Sequence, residues 1–216
     1  MRKITAIKAQ RKNPQRVSIF LDGEFAFGLS RIVAAWLKVG QELDEAKIAS
    51  LLEEDLREKA YQQALLYLSY RPRSLAEIRQ NLRKHEYPES VIEETLARLQ
   101  RNRFADDEAF TRAWIENRNA FRPRSARALR MELRRKGIAD ETIQTALEAL
   151  ADDEKAAYDA GLKKARKLAS KDWQSFRKKL GDFLARRGFS YSIIAPLLPK
   201  LWEETHDGGD YSEERG

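Results

Sequence analysis

The chain repeats itself at a spacing near fifty residues, and that periodicity limits the available folds more than any single motif does. Tyr70-Arg71-Pro72-Arg73-Ser74 matches Phe121-Arg122-Pro123-Arg124-Ser125 at an offset of 51 residues (122 − 71). The register holds without a gap through Ile78 with Leu129, Leu82 with Leu133, Ile92 with Ile143, Leu96 with Leu147 and Leu99 with Leu150. The same step leads on to Leu180, Leu184, Gly188, Ile194, Leu198 and Leu201. One helical unit therefore recurs three times, the mark of a modular array whose members stack because each buries too little surface alone.

Each unit reads as three helices. Pro at the second position of Arg-Pro-Arg-Ser cannot lie inside a helix and pushes the residue before it out of the α region. The serine can then cap the helix that follows, and Ser74-Leu75-Ala76-Glu77 fits a capping box. Helices are expected at about 58–69, 75–85 and 89–101, then 107–119, 126–136 and 140–151, the last capped by Asp140. The third repeat is expected at about 153–169, 174–187 and 191–204. It is the least regular, because Trp173-Gln174-Ser175-Phe176 replaces Arg-Pro-Arg-Ser and Pro196 and Pro199 should disturb its final helix.

Only the beginning reads as β structure. Val17, Ile19 and Leu21 alternate with polar residues, Asp22-Gly23 turns, and Phe25 and Phe27 alternate back, which is a strong hairpin signal. Ile4 to Ala9 supplies a third strand. Ser30 is then expected to cap a short helix through Ile32, Val33, Trp36 and Leu37, ended by Gly40. Asp44 opens a longer helix that can run without a break past Tyr61.

The expected architecture is mainly α: an elongated, curved tandem array of three three-helix repeats behind a small three-stranded N-terminal region. The divisions are 1–57, 58–105, 106–151 and 152–205, with an acidic disordered tail over 206–216. Few glycines and prolines and a 35% charged fraction suit narrow helical modules with much surface. There is no cysteine, which excludes disulfides and thiolate chemistry. No apolar run is long enough for a membrane span, and Met1-Arg2-Lys3-Ile4-Thr5 does not begin a secretory signal. A cytoplasmic protein is expected.

The net charge of +7 is unevenly spread, acidic over Gln41 to Glu58 and strongly basic from Arg122 to Arg187. On the helix after Ser125, Leu129 and Leu133 form the apolar stripe, and Glu132 is the only acid. Arg122, Arg124 and Arg127 crowd the N-terminal end, where the helix dipole disfavours cations. A polyanion or an acidic partner surface would explain them, since guanidinium grips phosphate or carboxylate in bidentate fashion. The bland alternative is that Pro and Ser start a helix and the arginines are incidental. The binding candidates are Arg71 and Arg73 in the first repeat, with Arg122, Arg124, Arg127, Arg130, Arg134, Arg135 and Lys136 in the second. Arg177, Lys178, Arg186 and Arg187 complete them in the third. The run Lys163, Lys164, Arg166 and Lys167 reads equally well as a solvated face.

Catalytic chemistry has little support. His85 falls at a helix end and His206 in the tail, and no glycine-rich phosphate loop is present. Asp106-Asp107-Glu108 suggests a metal cluster, but Asp152-Asp153-Glu154 recurs where another helix starts, and caps favour acids there. Phe110 and Trp114 at helical spacing read as core, whereas Trp173 and Trp202 are harder to place. No cofactor and no metal are expected.

With these residues in view, the chain over about 58–204 resembles the RecX family, bacterial regulators of the RecA recombinase. Arg71-Pro72-Arg73-Ser74, Glu77-Ile78, Phe104-Ala105-Asp106-Asp107-Glu108-Ala109-Phe110 and Arg135-Lys136-Gly137-Ile138 carry the resemblance. Glu86, where the second repeat has Gly137, departs from the pattern. The resemblance implies a non-enzymatic protein lying in the helical groove of the RecA–DNA filament, where it inhibits ATP hydrolysis and strand exchange and limits filament growth. It also implies a place in DNA repair, recombination and the SOS response, with RecA and single-stranded DNA as partners of a monomer. The alternative is a sequence-nonspecific DNA-binding repeat protein that competes for single strands.

Overall fold

The computed structural model describes residues 1–206, which divide into two compact units meeting in sequence at Ala105 and Asp106. Of the acidic tail expected from His206 onward, 207–216 lie outside the described residues.

The first unit opens with a four-stranded antiparallel sheet, one strand more than expected. Its strands are β1 (Arg2–Gln10), β2 (Asn13–Leu21), β3 (Glu24–Ser30) and the short β4 (Glu42–Leu43), in the order β3-β2-β1-β4. Leu21 pairs with Glu24 across the predicted turn, where Asp22 and Gly23 both take positive φ, as a two-residue hairpin loop of this kind requires. Alternation sends Ile4, Val17, Ile19, Leu21 and Leu29 to one face, where they bury with Leu43 and Leu51.

Ser30 does not cap a helix. It ends β3, and its backbone N–H donates to Asp55 Oδ1 at 2.6 Å. The segment after it is a single 3-10 turn, Val33–Trp36, with no side-chain cap. Four residues cannot bury an apolar stripe, so Val33 and Ala34 go inward and Trp36 is left 87% exposed.

Helix α1 (Glu45–Ser69) starts on the Asp44 cap, which accepts from the Lys47 N–H at 2.7 Å. It is unbroken over 25 residues. Leu51 near its start packs on the sheet, while Ala60, Tyr61 and Ala64 pack with α2 (Leu75–Lys84) and α3 (Glu89–Arg101). The capping box is formed, with Ser74 and Glu77 each accepting from the other's backbone. Glu86 adopts the positive φ that Gly137 and Gly188 take at the equivalent positions. The geometry of the corner is therefore kept at a cost of about 1 kcal/mol for a residue with a Cβ.

The second unit holds α4 (Asp107–Phe121), α5 (Ala126–Arg135), α6 (Asp140–Leu150), α7 (Asp153–Ala165), α8 (Trp173–Arg186) and α9 (Tyr191–His206). Phe110, Ile115, Leu129, Leu133, Ile143 and Leu147 form one core. Ala157, Phe176, Leu180, Leu184, Leu198 and Leu201 belong to another. Asp106 and Asp152 cap α4 and α7, accepting from Ala109 N and Lys155 N respectively. Asp140 is not a cap. Ala139 holds that position, and Asp140, the first helical residue, turns its carboxylate to Arg134.

Helix α9 runs straight through Pro196 and Pro199. Both prolines are exposed, so the carbonyls that lose their N–H partners can be solvated. The buried stripe of Ile194, Leu197, Leu198 and Leu201 outweighs the propensity cost of about 3 kcal/mol per proline. His206 is not in a tail but is the last residue of this helix, its ring stacked 3.5 Å from Trp202. Trp173 and Trp202 meet edge to face and pack with Phe176.

Candidate anion-binding surface

The Arg-Pro-Arg-Ser turn of the second unit is held in place by the corner between α8 and α9. Ser125, 1% exposed, caps α5 by accepting from Ala128 N at 3.2 Å. Its own N–H donates to Arg187 O at 3.2 Å. Arg187 Nη1 donates back to Pro123 O at 2.7 Å. The start of α7 closes the joint, where Asp153 Oδ1 accepts from Ala126 N at 2.6 Å. Pro123 and Ser125 are thus structural, as the bland reading of this motif held.

The arginines of the turn divide. Arg124 Nε pairs with Glu132 at 3.0 Å, and Glu132 also accepts from Trp114 Nε1 and Arg118 Nε. Arg122 is exposed and has no ion pair among the described residues. Arg187 is half-buried with its guanidinium over Phe183, 4.5 Å from the ring centroid. Burial and the nearby charges of Arg124 and Arg122 push Arg187 below its ordinary value. Three guanidinium groups therefore converge on one turn. Among the described residues, the only carboxylates paired with this joint are Glu132 on Arg124 and Asp153 on the backbone. An anion arriving here would relieve cation–cation repulsion as well as form charge-assisted hydrogen bonds.

The other candidates are scattered in character. Arg127 and Arg135 are exposed on α5 without ion pairs among the described residues. Arg130 bonds to Gln144. Arg134 pairs with Asp140 at 2.6 Å, and that hydrogen bond raises the arginine and lowers the aspartate from their ordinary values. Lys136 lies over the Trp114 ring. Arg186 is exposed at the end of α8. Arg177 and Lys178 line a groove of about 550 Å³ along α8, beside Trp173 and the 75% exposed Tyr191. In the first unit Arg71 pairs with Glu77 at 2.9 Å, and Arg73 lies 4.0 Å over Tyr67 with a buried, unpartnered Nε.

Sequence reasoning missed the parts that hold the turn. Glu132 was legible as the lone acid on a basic helix, a signal that it has neighbours to neutralise. Asp153 carries the signature of its own helix start, and its bond to the first turn of α5 has no local signature.

Four family models match in order: "Regulatory protein RecX N-terminal domain" over residues 2–44, and the first, second and third three-helix domains of RecX over 60–99, 106–147 and 152–198. "Regulatory protein RecX" of Bacillus pumilus is 36% identical over 217 residues, covering 98% of this chain and 80% of the relative. The chain belongs to the RecX family. The RecX of Bacillus subtilis is 33% identical, over 94% of this chain and 79% of that protein. A crystal structure of regulatory protein RecX superposes with a TM-score of 0.70 at 30% identity, covering 91% of this chain and 98% of that one. RecX from Lactobacillus salivarius gives 0.60 at 26% identity, over 68% and 97%. The RecX three-helix domains thus account for the repeats read from the sequence, and the N-terminal domain of RecX accounts for the strands.

Proposed function

We propose that this chain is a non-enzymatic regulator of the RecA recombinase, lying as a monomer in the groove of the cytoplasmic RecA–DNA filament. There it inhibits ATP hydrolysis and strand exchange and limits filament growth, a role within DNA repair and the SOS response. Family membership supports the partner. The observation that carries the mode of contact is the convergence of Arg122, Arg124 and Arg187 on one fixed turn. A filament offers two kinds of anion to such a turn, acidic protein side chains and bound phosphodiester.

A second reading, competition for single-stranded DNA, draws on the α8 groove, where Trp173 and Tyr191 stand beside Arg177 and Lys178. Exposed aromatics among cations can stack bases and neutralise phosphates. Titrating the DNA-dependent ATPase of the cognate recombinase at fixed DNA separates the two. Inhibition well below the amount needed to coat the DNA is expected of filament regulation. Inhibition only at coating amounts, with a steep salt dependence of binding to bare strands, would put competition in its place.

A further inference from the structure

The largest cavity among those described lies in the first unit and is lined by none of the arginines argued above. It is a cleft of about 790 Å³ between the start of β2, the end of β3 and one face of α1, with Tyr87 at its side. That volume falls within the range of ligand sites, about 300–1,000 Å³.

Its charges are largely spent. On the sheet side, Arg16 makes a two-pronged bond to Asp55 at 3.2 and 2.9 Å and also donates to Gly28 O at 2.8 Å. Lys59, on α1, pairs with the same Asp55 carboxylate at 2.9 Å. Glu58, 6% exposed, is neutralised by Arg98 at 2.8 Å and accepts from Gln62 at 2.8 Å. One lining cation is left without an ion pair among the described residues, Arg31, which is exposed at the mouth.

What remains is mainly amide. Gln15, Gln62 and Gln63 line the cleft. Gln62 Nε2 already donates to Glu58 and Gln63 Nε2 bonds to Asn81 and His85, so these two offer chiefly their amide oxygens and Gln15 offers donor and acceptor together. Ser30 also lines it, but its hydroxyl is turned into the protein and is closed to the cleft. Leu66 and Ile32, both more than half exposed, supply apolar rim.

We propose that this cleft binds an extended, acid-containing peptide segment of a partner protein. Arg31 takes the carboxylate, the Gln62 and Gln63 amide oxygens accept from main-chain N–H groups, and the Gln15 amide pairs with a further main-chain group. A nucleic-acid strand fits poorly, because a polyanion needs several unpaired cations and among the described lining cations only Arg31 has no ion pair. The site is independent of the arginine turn and of the recombinase reading.

The test is selection of random short peptides displayed on phage against the full chain. A peptide synthesised from the enriched sequences is then measured by fluorescence anisotropy. The expected result is an acid-containing consensus whose affinity falls roughly tenfold or more in Arg31→Glu, as for loss of a charge-assisted bond with added repulsion. Gln62→Ala should weaken it as well, while Arg122→Glu leaves it unchanged. Arg31 and Gln62 are exposed, so an unchanged melting temperature separates lost binding from lost fold. Enrichment without acids, equal binding to Arg31→Glu, or displacement of the peptide by a thymidine oligonucleotide would overturn the proposal. So would peptide binding that appears only after 207–216 are deleted, because the occupant would then be the chain's own acidic end.

Discussion

Gly188 leaves no room for a side chain against Ser125: a Cβ built on it would lie 2.5 Å from Ser125 Oγ and 2.9 Å from Ala128 Cβ. The glycine also has φ of +92°. Two separate demands, a left-handed backbone and a close approach, meet at one residue of the joint that holds the arginine turn.

Gly188→Ala should therefore destabilise the second unit by about 2–4 kcal/mol, the sum of a backbone term near 1 and an overpacking term of 1–3. Gly40 is the control, since it has φ of +94° with nothing within 4 Å of its built Cβ. Gly40→Ala should cost only the backbone term. Thermal or urea unfolding of the two variants measures the difference. Equal losses would mean that the Gly188 corner yields more readily than its packing indicates.

Asp55 gives the first unit an acid dependence. Burial alone would raise its carboxyl, but hydrogen bonds from Arg16, Lys59 and the Ser30 N–H outweigh that and hold it below the ordinary aspartate value. A depressed folded-state pKa contributes stability that is present above the unfolded value, about 3.9, and lost as pH falls through the folded one. Unfolding followed from pH 7 down to acid should show this loss. Asp55→Asn should lower stability at pH 7 by about 2 kcal/mol or more, because Arg16 loses its buried partner. It should also flatten that part of the acid profile. A variant as acid-sensitive as the parent would assign the effect to other carboxylates.

Much of this was legible because the repeat compares the sequence with itself. Ile78, Leu129 and Leu180 are all buried, so three aligned apolar positions gave the same answer three times. The Asp22-Gly23 turn was legible because two residues with positive φ between alternating strands leave few choices. The failures are tertiary. Ser30 carries a capping signature, yet it is held in β3 by pairing with Arg16, and the turn that follows has Ile32 at its start with no side-chain cap. Pro196 and Pro199 carry a breaking signature that packing of the opposite face overrides. The arginine candidates were legible as charges, whereas their partners are set by the fold: Arg124 meets Glu132 on α5, and Arg187 meets Pro123 in the turn 64 positions earlier.

The prolines of α9 offer a direct check of that override. Pro196→Ala restores an N–H to an exposed position in the helix and removes a penalty whose ceiling is about 3 kcal/mol. The melting temperature should rise by an amount matching about 1 kcal/mol or more, since the freed unfolded chain takes back part of the gain. No change would mean that the helix already accommodates the ring at little cost.

The last prediction concerns which arginines meet the partner. Reversing Arg122, Arg124, Arg127 and Arg130 together is a poor test, because Arg124→Glu would set a second carboxylate against Glu132 and Arg130 is already bonded to Gln144. Arg122, Arg127 and Arg135 are exposed and without ion pairs among the described residues. Changing these three to Glu should leave stability within about 0.5 kcal/mol per site, as for surface substitutions generally. Inhibition of the recombinase ATPase should fall by roughly tenfold or more, since each reversal removes an attraction at the partner and adds a repulsion. The matched control reverses Lys163, Arg166 and Lys167, which are also exposed but lie away from the turn in sequence, on α7 and the short turn after it. It changes net charge by the same amount, so a general loss of attraction to a polyanion would appear equally in both. If the two variants lose inhibition alike, bulk charge governs binding and the Arg122 turn has no special part in it. A selective loss in the first variant would assign the contact to the turn that Ser125, Arg187 and Gly188 hold in place.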